Sequence, residues 1–176
     1  SVLMMINQRW HLQPNKDKSL GQTARRVALD SGSALFSYSY YAASAFLPQP
    51  ETLPHRFIFQ VHPHPIVVRQ ILMEELDRNP RARASIVREY EIGLPEAQFQ
   101  LLAQEPHLAN GWTVASSFTA NTLAAQGIPP DRIHLVPYGV DLTSFPLRER
   151  APDPSSSFTI AFVGTLTQRK GLSDLL

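Results

Sequence analysis

The sequence contains no cysteine, so it can form neither a disulfide framework nor a thiolate metal site. Glycine is scarce at 8 residues, and the 16 Lys and Arg residues barely outnumber the 15 Asp and Glu residues. The resulting net charge of +1 gives no strong electrostatic reason to expect binding to nucleic acid or to an acidic membrane. The uncharged stretch over residues 35–47 is too short to span a bilayer and carries serines and tyrosines.

A secretory signal is not visible, because Arg9 and His11 interrupt the only apolar start. Together with the lack of cysteine, this favours a cytoplasmic location. No polybasic or amphipathic anchor stands out, and peripheral association with the inner face of a membrane stays open.

What is present fits a globular protein. Hydrophobic residues make up 43% of the 176 residues and charged residues 18%, which is enough to bury a sizeable core. The 15 prolines are spread along the chain at the expected borders of helices and strands, so they punctuate the structure and do not form a proline-rich tract.

Segments with strand and helix patterns alternate along the chain. Strands are predicted over residues 34–39, 56–62, 112–115, 132–136 and 158–163. Helices are predicted over residues 20–30, 66–78, 82–92, 95–104 and 117–126, and again from residue 171. This alternation predicts an α/β fold in which a parallel sheet carries helices on both faces.

Residues 137–157 show no periodicity and contain three prolines after Pro137 as well as three consecutive serines. We interpret this segment as an interdomain linker between a first domain, residues 1–136, and the start of a second, residues 158–176. The last residues have the pattern of a helix that has just begun, so we expect the sequence to be part of a longer protein.

Four short motifs stand out: PYGVD at 137–141, VGTLTQRKG at 163–171, WTVASS at 112–117 and FQVH at 59–62. Together they resemble the retaining GT-B glycosyltransferases of the group 1 type, also called family 4. The segment PYGVD at 137–141, followed by Phe145, is similar to the end of that family's N-terminal domain. The segment VGTLTQRKG at 163–171 is similar to the opening of its C-terminal, donor-binding domain. Upstream, WTVASS at 112–117 and FQVH at 59–62 are similar to the serine-capped helix and to the strand that ends in the family's active-site histidine.

The sequence also departs from the family's pattern. Thr165 stands where many members have arginine, and Tyr138 where many have asparagine. The family's N-terminal glycine-rich loop and its downstream pair of glutamates are absent. The resemblance therefore implies part of a Rossmann-like acceptor-side domain plus the first strand and helix start of a second such domain, and we expect this stretch to be inactive alone.

The basic turn after residue 163 carries the predicted diphosphate site. A departing nucleoside diphosphate gains negative charge, which cations and the N–H groups of a helix N-terminus can stabilise. Gly164 would allow a tight turn, and Lys170 would place an ammonium at the start of a helix. Arg169 could replace the arginine missing at Thr165, so the four residues form the predicted donor site. The alternative is that Arg169 and Lys170 are ordinary solvated charges.

His62 follows a predicted central strand, and ligands of parallel α/β sheets bind at the carboxyl ends of the strands. The resemblance implies a catalytic role, in which the imidazole donates a hydrogen bond to the sugar. A buried structural histidine is the alternative, and His64 could take the role instead. The two histidines also suggest a metal site, but Glu74 and Asp77 are predicted to point elsewhere, so we expect no metal.

Other polar residues have simpler interpretations. Ser116 or Ser117 is predicted to cap a helix, since no G-x-S-x-G motif surrounds them, and Asp141 is predicted to fix a local turn. The tyrosines Tyr38, Tyr40 and Tyr41 could line an acceptor cleft or pack between strand and helix. Glu89 and Glu91 are interpreted as a solvated helix face.

The resemblance implies transfer of a sugar from a nucleotide-diphosphate sugar to an acceptor hydroxyl, with retention of configuration. The expected partners are the nucleotide sugar and a carbohydrate or lipid-linked acceptor, with no nucleic acid and no further cofactor. Two alternatives come from other classes: a non-enzymatic nucleotide- or sugar-binding α/β module, and a histidine-based metal hydrolase.

Overall fold

The computed structural model describes residues 18–47, 52, 53, 55–146 and 160–175. Its helices are α1 (18–31), α2 (Ala43–Phe46), α3 (Pro65–Arg78), α4 (Arg83–Ile86), α5 (Tyr90–Gly93), α6 (Glu96–Gln104), α7 (Ser117–Ala125) and α8 (Leu172–Leu175). Its strands are β1 (Leu35–Tyr38), β2 (Arg56–Gln60), β3 (Gly111–Val114) and β4 (Ile133–Leu135).

The four strands form one sheet in the order β1-β2-β3-β4, and every pair is parallel. The pairing aligns Ser37, Ile58, Trp112 and Ile133 in one row across the sheet. Because successive side chains of a strand point to opposite faces, the next row holds Tyr38, Phe59, Thr113 and His134 on the other face. The predicted α/β class with a parallel sheet is confirmed.

The main hydrophobic core lies on the face that carries Ile58 and Trp112. Ile58 and Val114 are fully buried there, and Phe46 from α2 and Leu123 from α7 pack with them. On the opposite face, Tyr38 remains 55% exposed. The described core therefore covers one side of the sheet, and aromatic side chains partly line the other.

A second, smaller core lies among the helices that follow β2. It consists of Val68 and Leu72 from α3 with Ile86 from α4, and Ile92 packs against it. His64 precedes α3 as its N-cap, and Pro65 occupies the first turn, where the missing N–H costs nothing. These helices position the side chains that surround the carboxyl ends of the strands.

The single helix predicted over residues 82–92 is wrong. The chain instead forms a 3₁₀ turn at Pro80–Ala82, then α4, then α5. Glu89 is extended, with φ −65° and ψ 142°, and this breaks the helical hydrogen-bond pattern between the two short helices. The break allows α4 to bury Ile86 and α5 to bury Glu91, which a continuous helix would present differently.

The strand predicted over residues 158–163 is also wrong for its described part. Residues 160–163 belong to no strand, and Val163 is 97% exposed. A strand needs a neighbour for its backbone hydrogen bonds, and no described strand pairs with these residues. The helix predicted from residue 171 is confirmed by α8.

The segment interpreted as a linker has little regular structure where it is described. Its one regular turn over residues 137–146 is a 3₁₀ turn at Leu142–Ser144, and residues 147–157 lie outside the described part. The division into two domains stays a prediction.

Candidate functional site

Four side chains from distant parts of the sequence meet at the carboxyl edge of the sheet. Tyr40 follows β1, His62 follows β2, Glu91 comes from α5, and Arg169 comes from the predicted diphosphate turn. The Tyr40 and His62 rings pack in a T-shaped arrangement, with an interplanar angle of 86° and 4.6 Å between centroids. The Tyr40 hydroxyl donates a hydrogen bond to Glu91, which in turn binds Arg169. We call these four residues, together with Glu89, the edge cluster.

Arg169 is the cation of the edge cluster. Its Nη1 lies 2.9 Å from Glu91 Oε2 and 3.2 Å from Glu89 Oε2. The Glu91 side chain is 2% exposed, the Glu89 side chain 14% and the Arg169 side chain 29%. The interpretation of Glu89 and Glu91 as a solvated helix face is therefore wrong, because Glu89, just before α5, and Glu91, within α5, both pair with the guanidinium.

Tyr40 is held in an unusual backbone conformation. Its φ of 73° lies in the left-handed region, which a bulky residue rarely adopts. The buried carboxylate of Glu105 accepts hydrogen bonds from the backbone N–H groups of Tyr40 and Ala43, the latter at 2.8 Å. Such strained residues cluster at functional sites, and here the Tyr40 ring packs against His62.

Burial and neighbouring charges change the proton affinities within the edge cluster. Burial, followed by the hydrogen bond to Glu91, raises the pKa of Tyr40 well above its usual range, so Tyr40 stays neutral. Burial also lowers the pKa of His62, the nearby Arg169 charge lowers it further, and Glu91 opposes the change. His62 is accordingly a neutral imidazole near pH 7, with one donor and one acceptor nitrogen.

The carboxylate of Glu91 is charged despite its position. Burial acts to raise its pKa, but hydrogen bonds from Tyr40 and Arg169 outweigh burial, and the net pKa is lowered. Burial acts likewise against the charge of Arg169, and the hydrogen bond to Glu91 reverses the effect and raises the pKa of Arg169. The edge cluster therefore contains a charged pair beside a neutral imidazole.

The remaining residues of the predicted diphosphate site lie apart from this pair. Gly164, Thr165 and Lys170 are all exposed. Lys170 ends the 3₁₀ turn Gln168–Lys170, after which Gly171 adopts a left-handed conformation with φ 69°. Of the four residues of the predicted diphosphate site, Arg169 belongs to the edge cluster and Lys170 does not.

A hollow of about 310 Å³ lies next to the edge cluster. Arg169 and Pro63, the residue after His62, both line it, together with Val68, Leu72 and Gly171. Neither His62 nor Lys170 is among its lining residues. A larger hollow of about 630 Å³ lies between α3, α4 and the C-terminal segment, where Arg78, Arg81 and Ser173 contribute polar groups.

His64 has a structural position. It is fully buried, and its Nδ1 accepts a hydrogen bond of 3.3 Å from the backbone N–H of Ile66 at the start of α3. Burial, followed by the nearby His107, lowers the pKa of His64 to about 4, so it is neutral. Its Nε2 has no hydrogen-bond partner among the described residues. His64 therefore caps α3 and is not placed to replace His62.

No three His, Asp or Glu residues in the described part of the chain lie close enough together to hold a metal ion. The helix cap predicted at Ser116 is confirmed, because its Oγ accepts a 3.1 Å hydrogen bond from the backbone N–H of Thr119. The local turn predicted at Asp141 is also confirmed, since its Oδ1 accepts a 2.9 Å hydrogen bond from the N–H of Thr143.

Sequence reasoning missed two carboxylates, Glu91 and Glu105, which are 1% and 2% exposed. A signal for Glu105 was present, since it stands in the apolar stretch LLAQEPHLA at residues 101–109. Glu91 carried no comparable signal, because its surroundings in the sequence include Arg88 and Glu89.

No protein-family model, curated protein or solved structure matches this chain. Within the described residues, no helix combines the length and apolar character needed to cross a membrane.

Proposed function

We propose that this protein transfers a sugar from a nucleotide-diphosphate sugar to an acceptor hydroxyl with retention of configuration. One observation carries the proposal. His62 after β2 and Arg169 of the basic turn were predicted for the catalytic and diphosphate parts of a sugar-nucleotide site, and they lie at one edge of the sheet. Tyr40 links them, because its ring packs against His62 and its hydroxyl binds the Glu91 carboxylate that holds Arg169. Residues 62 and 169 are far apart in the sequence, so local structure alone would not bring them together.

The chemistry of the residues suits this reaction. His62 is exposed and neutral, so its imidazole can donate a hydrogen bond to a sugar hydroxyl without adding charge near an electron-poor anomeric carbon. The exposed Lys170 can approach the leaving diphosphate, and the backbone around Gly164 and Thr165 is open to solvent on the same segment. Tyr38, which is 55% exposed, offers a ring face to an acceptor sugar.

A turnover screen tests the proposal. The longest natural chain that contains this sequence is incubated with a panel of nucleotide sugars and acceptors, and release of nucleoside diphosphate is measured. We expect Lys170→Ala to lower turnover by on the order of 100-fold, because it removes a cation from the developing negative charge. We expect His62→Ala to lower turnover while nucleotide binding is largely retained.

Two matched variants control for loss of charge or of an imidazole elsewhere. Lys18→Ala removes an exposed lysine from α1, and His134→Ala removes an exposed histidine from β4. Both should leave turnover unchanged. Near wild-type turnover in Lys170→Ala would contradict the role of the basic turn, and unfolding of His62→Ala would identify His62 as a structural residue.

A second candidate function is a nucleotide- or sugar-binding module without transfer activity. The observation that favours it is that Arg169, the cation of the edge cluster, is already paired with the two carboxylates Glu89 and Glu91. Such a module would bind a nucleotide sugar in calorimetry and release no nucleoside diphosphate with any acceptor.

A further inference from the structure

The segment that follows residue 167 is attached to the helices after β2 by polar contacts. Gln168 is buried, and its backbone N–H donates to Ser85 Oγ at 3.0 Å. Its side-chain Nε2 donates to Glu75 Oε1 at 2.9 Å, and its Oε1 accepts from the N–H of Ser173 at 3.1 Å. The Gln168 backbone N–H and side-chain Nε2 therefore attach the segment to α4 and α3, while its Oε1 joins residues 168 and 173 within the segment.

Arg169 supplies the charged part of this attachment. Its guanidinium contacts the carboxylates of Glu89 and Glu91. Glu91 also accepts a hydrogen bond from the Tyr40 hydroxyl, so a group outside the segment orients the carboxylate that Arg169 binds. A carboxylate as buried as Glu91 would be costly without a cation, which makes Arg169 a required partner.

The neighbouring cation behaves differently. Lys170 is exposed and forms no ion pair with any described residue. To bind a diphosphate, Arg169 would have to leave two carboxylates in a largely dry site, whereas Lys170 would give up only water. A planar guanidinium also suits two carboxylates better than an ammonium does.

We propose that Arg169 is a positioning residue whose ion pairs with Glu89 and Glu91 latch residues 168–175 onto α3–α5, which leaves Lys170 as the cation that meets an incoming diphosphate. The assignment of Lys170 rests on the proposed function, whereas the latch does not. The latch fixes the basic turn relative to His62, because Glu91 also holds Tyr40 against the His62 ring.

Amide hydrogen exchange on the 176-residue chain tests the latch directly. Arg169→Gln should lower the protection of the amides of residues 168–175 by roughly 10- to 100-fold, since hydrogen bonds between charged groups are lost. Arg169→Lys keeps the positive charge but loses the planar, two-pronged geometry of the guanidinium. The amides of residues 168–175 should therefore lose less protection in this variant than in Arg169→Gln. Lys170→Gln is the matched control and should leave protection unchanged.

The pKa of His62, measured by NMR titration, is a second test. If Arg169 only stabilised the fold, its replacement would leave this pKa unchanged. Arg169→Gln should raise the pKa of His62, because it removes a nearby positive charge, and Lys170→Gln should not. Both variants retain the other groups that lie near the His62 imidazole or near its neighbours, namely Tyr40, Glu91 and Glu105. Unchanged protection and an unchanged His62 pKa in Arg169→Gln would overturn the latch.

Binding of uridine diphosphate and guanosine diphosphate separates the two parts of the proposal. The expected result is about tenfold weaker binding in Lys170→Gln, with a smaller effect in Arg169→Gln. Weaker binding in Arg169→Gln than in Lys170→Gln would overturn the division of roles. If neither nucleotide binds any variant while the exchange result holds, the proposed function and the role of Lys170 fail and the latch stands.

Discussion

Glu91 and Glu105 are both almost fully buried, yet their pKa values are moved in opposite directions. Glu91 is bound by the Tyr40 hydroxyl and the Arg169 guanidinium, and its net pKa is lowered. Glu105 is bound by backbone N–H groups of the turn after β1, and burial raises its pKa to about 7. The comparison teaches that burial alone does not decide the charge of a carboxylate here. The presence or absence of a cation decides it.

The two carboxylates also have different tasks. Glu91 connects a segment more than seventy residues away in sequence to the sheet edge through Arg169. Glu105 holds the local turn that places Tyr40 in its left-handed conformation. One carboxylate therefore serves long-range docking, and the other serves a strained turn.

The largest expected effect concerns the pH dependence contributed by Glu105. Its pKa in the folded protein, about 7, lies above the ordinary value of 4.5, so the folded state binds more protons between these limits. Stability from this group is therefore greatest below pH 4.5 and is lost as pH rises through 7. The loss is on the order of 3 kcal/mol, since one pKa unit corresponds to about 1.4 kcal/mol.

Urea unfolding of the wild type and of Glu105→Gln at several pH values measures this contribution. His64 titrates over part of the same range in the opposite sense, because its folded pKa is lowered to about 4, but it is present in both proteins and cancels in the difference. As pH rises towards 8, the wild type should lose the stability that Glu105 contributes, whereas the free energy of unfolding of Glu105→Gln should not show this decrease. Parallel stability curves for the two proteins would contradict the raised pKa.

The next effect is the removal of the Glu91 carboxylate. Glu91→Ala leaves the Arg169 guanidinium with Glu89 alone and leaves the Tyr40 hydroxyl without its acceptor. We expect a loss of about 2 kcal/mol in the free energy of unfolding at pH 7, less than for a fully buried pair because the Arg169 side chain is 29% exposed. Urea titration measures this loss.

Glu96→Ala is the matched control for that variant. Glu96 pairs with Arg69 at 2.8 Å, but its side chain is 64% exposed. An exposed pair contributes little because water and salt screen it, so the control should lose much less stability than Glu91→Ala does. Equal losses in the two variants would show that the burial of Glu91 has no energetic consequence.

The smallest expected effect is that of Tyr40→Phe, which removes one hydroxyl and keeps the ring against His62. Loss of a hydrogen bond to a charged group should cost about 1 to 2 kcal/mol. The pKa of Glu91 should also rise, since the Tyr40 hydroxyl is the first of the hydrogen bonds that lower it. A carboxylate titration by carbon-13 NMR would detect this rise, and an unchanged Glu91 pKa would contradict the arrangement.

Much of the fold could be predicted from local patterns. The run of aromatic and β-branched residues in Arg56–Gln60 predicts a strand, and Ser116 before α7 predicts its cap. Prediction failed at residues 82–92, where the helical spacing continues through Glu89 but the packing of Ile86 and Glu91 breaks the helix. Local propensity could not foresee this, because the contacts that decide it come from α3 and from Arg169.

The candidate site was predicted in part. The position of His62 at the end of a strand follows from the sequence, since parallel strands end at a common edge. The partner of Arg169 does not follow, because Glu91 lies 78 positions earlier in the chain and looks like one of several surface charges.

The sequence by itself determined most of the alternation of strands and helices, the cap of α7 and the parallel direction of the strands, because these depend on neighbouring residues and on the chirality of the chain. Only the tertiary structure decided which carboxylates are buried, which charges pair, and which of the two adjacent cations, Arg169, forms ion pairs. Those outcomes depend on desolvation and on distances between atoms that are remote in sequence, and the local sequence determines neither of them.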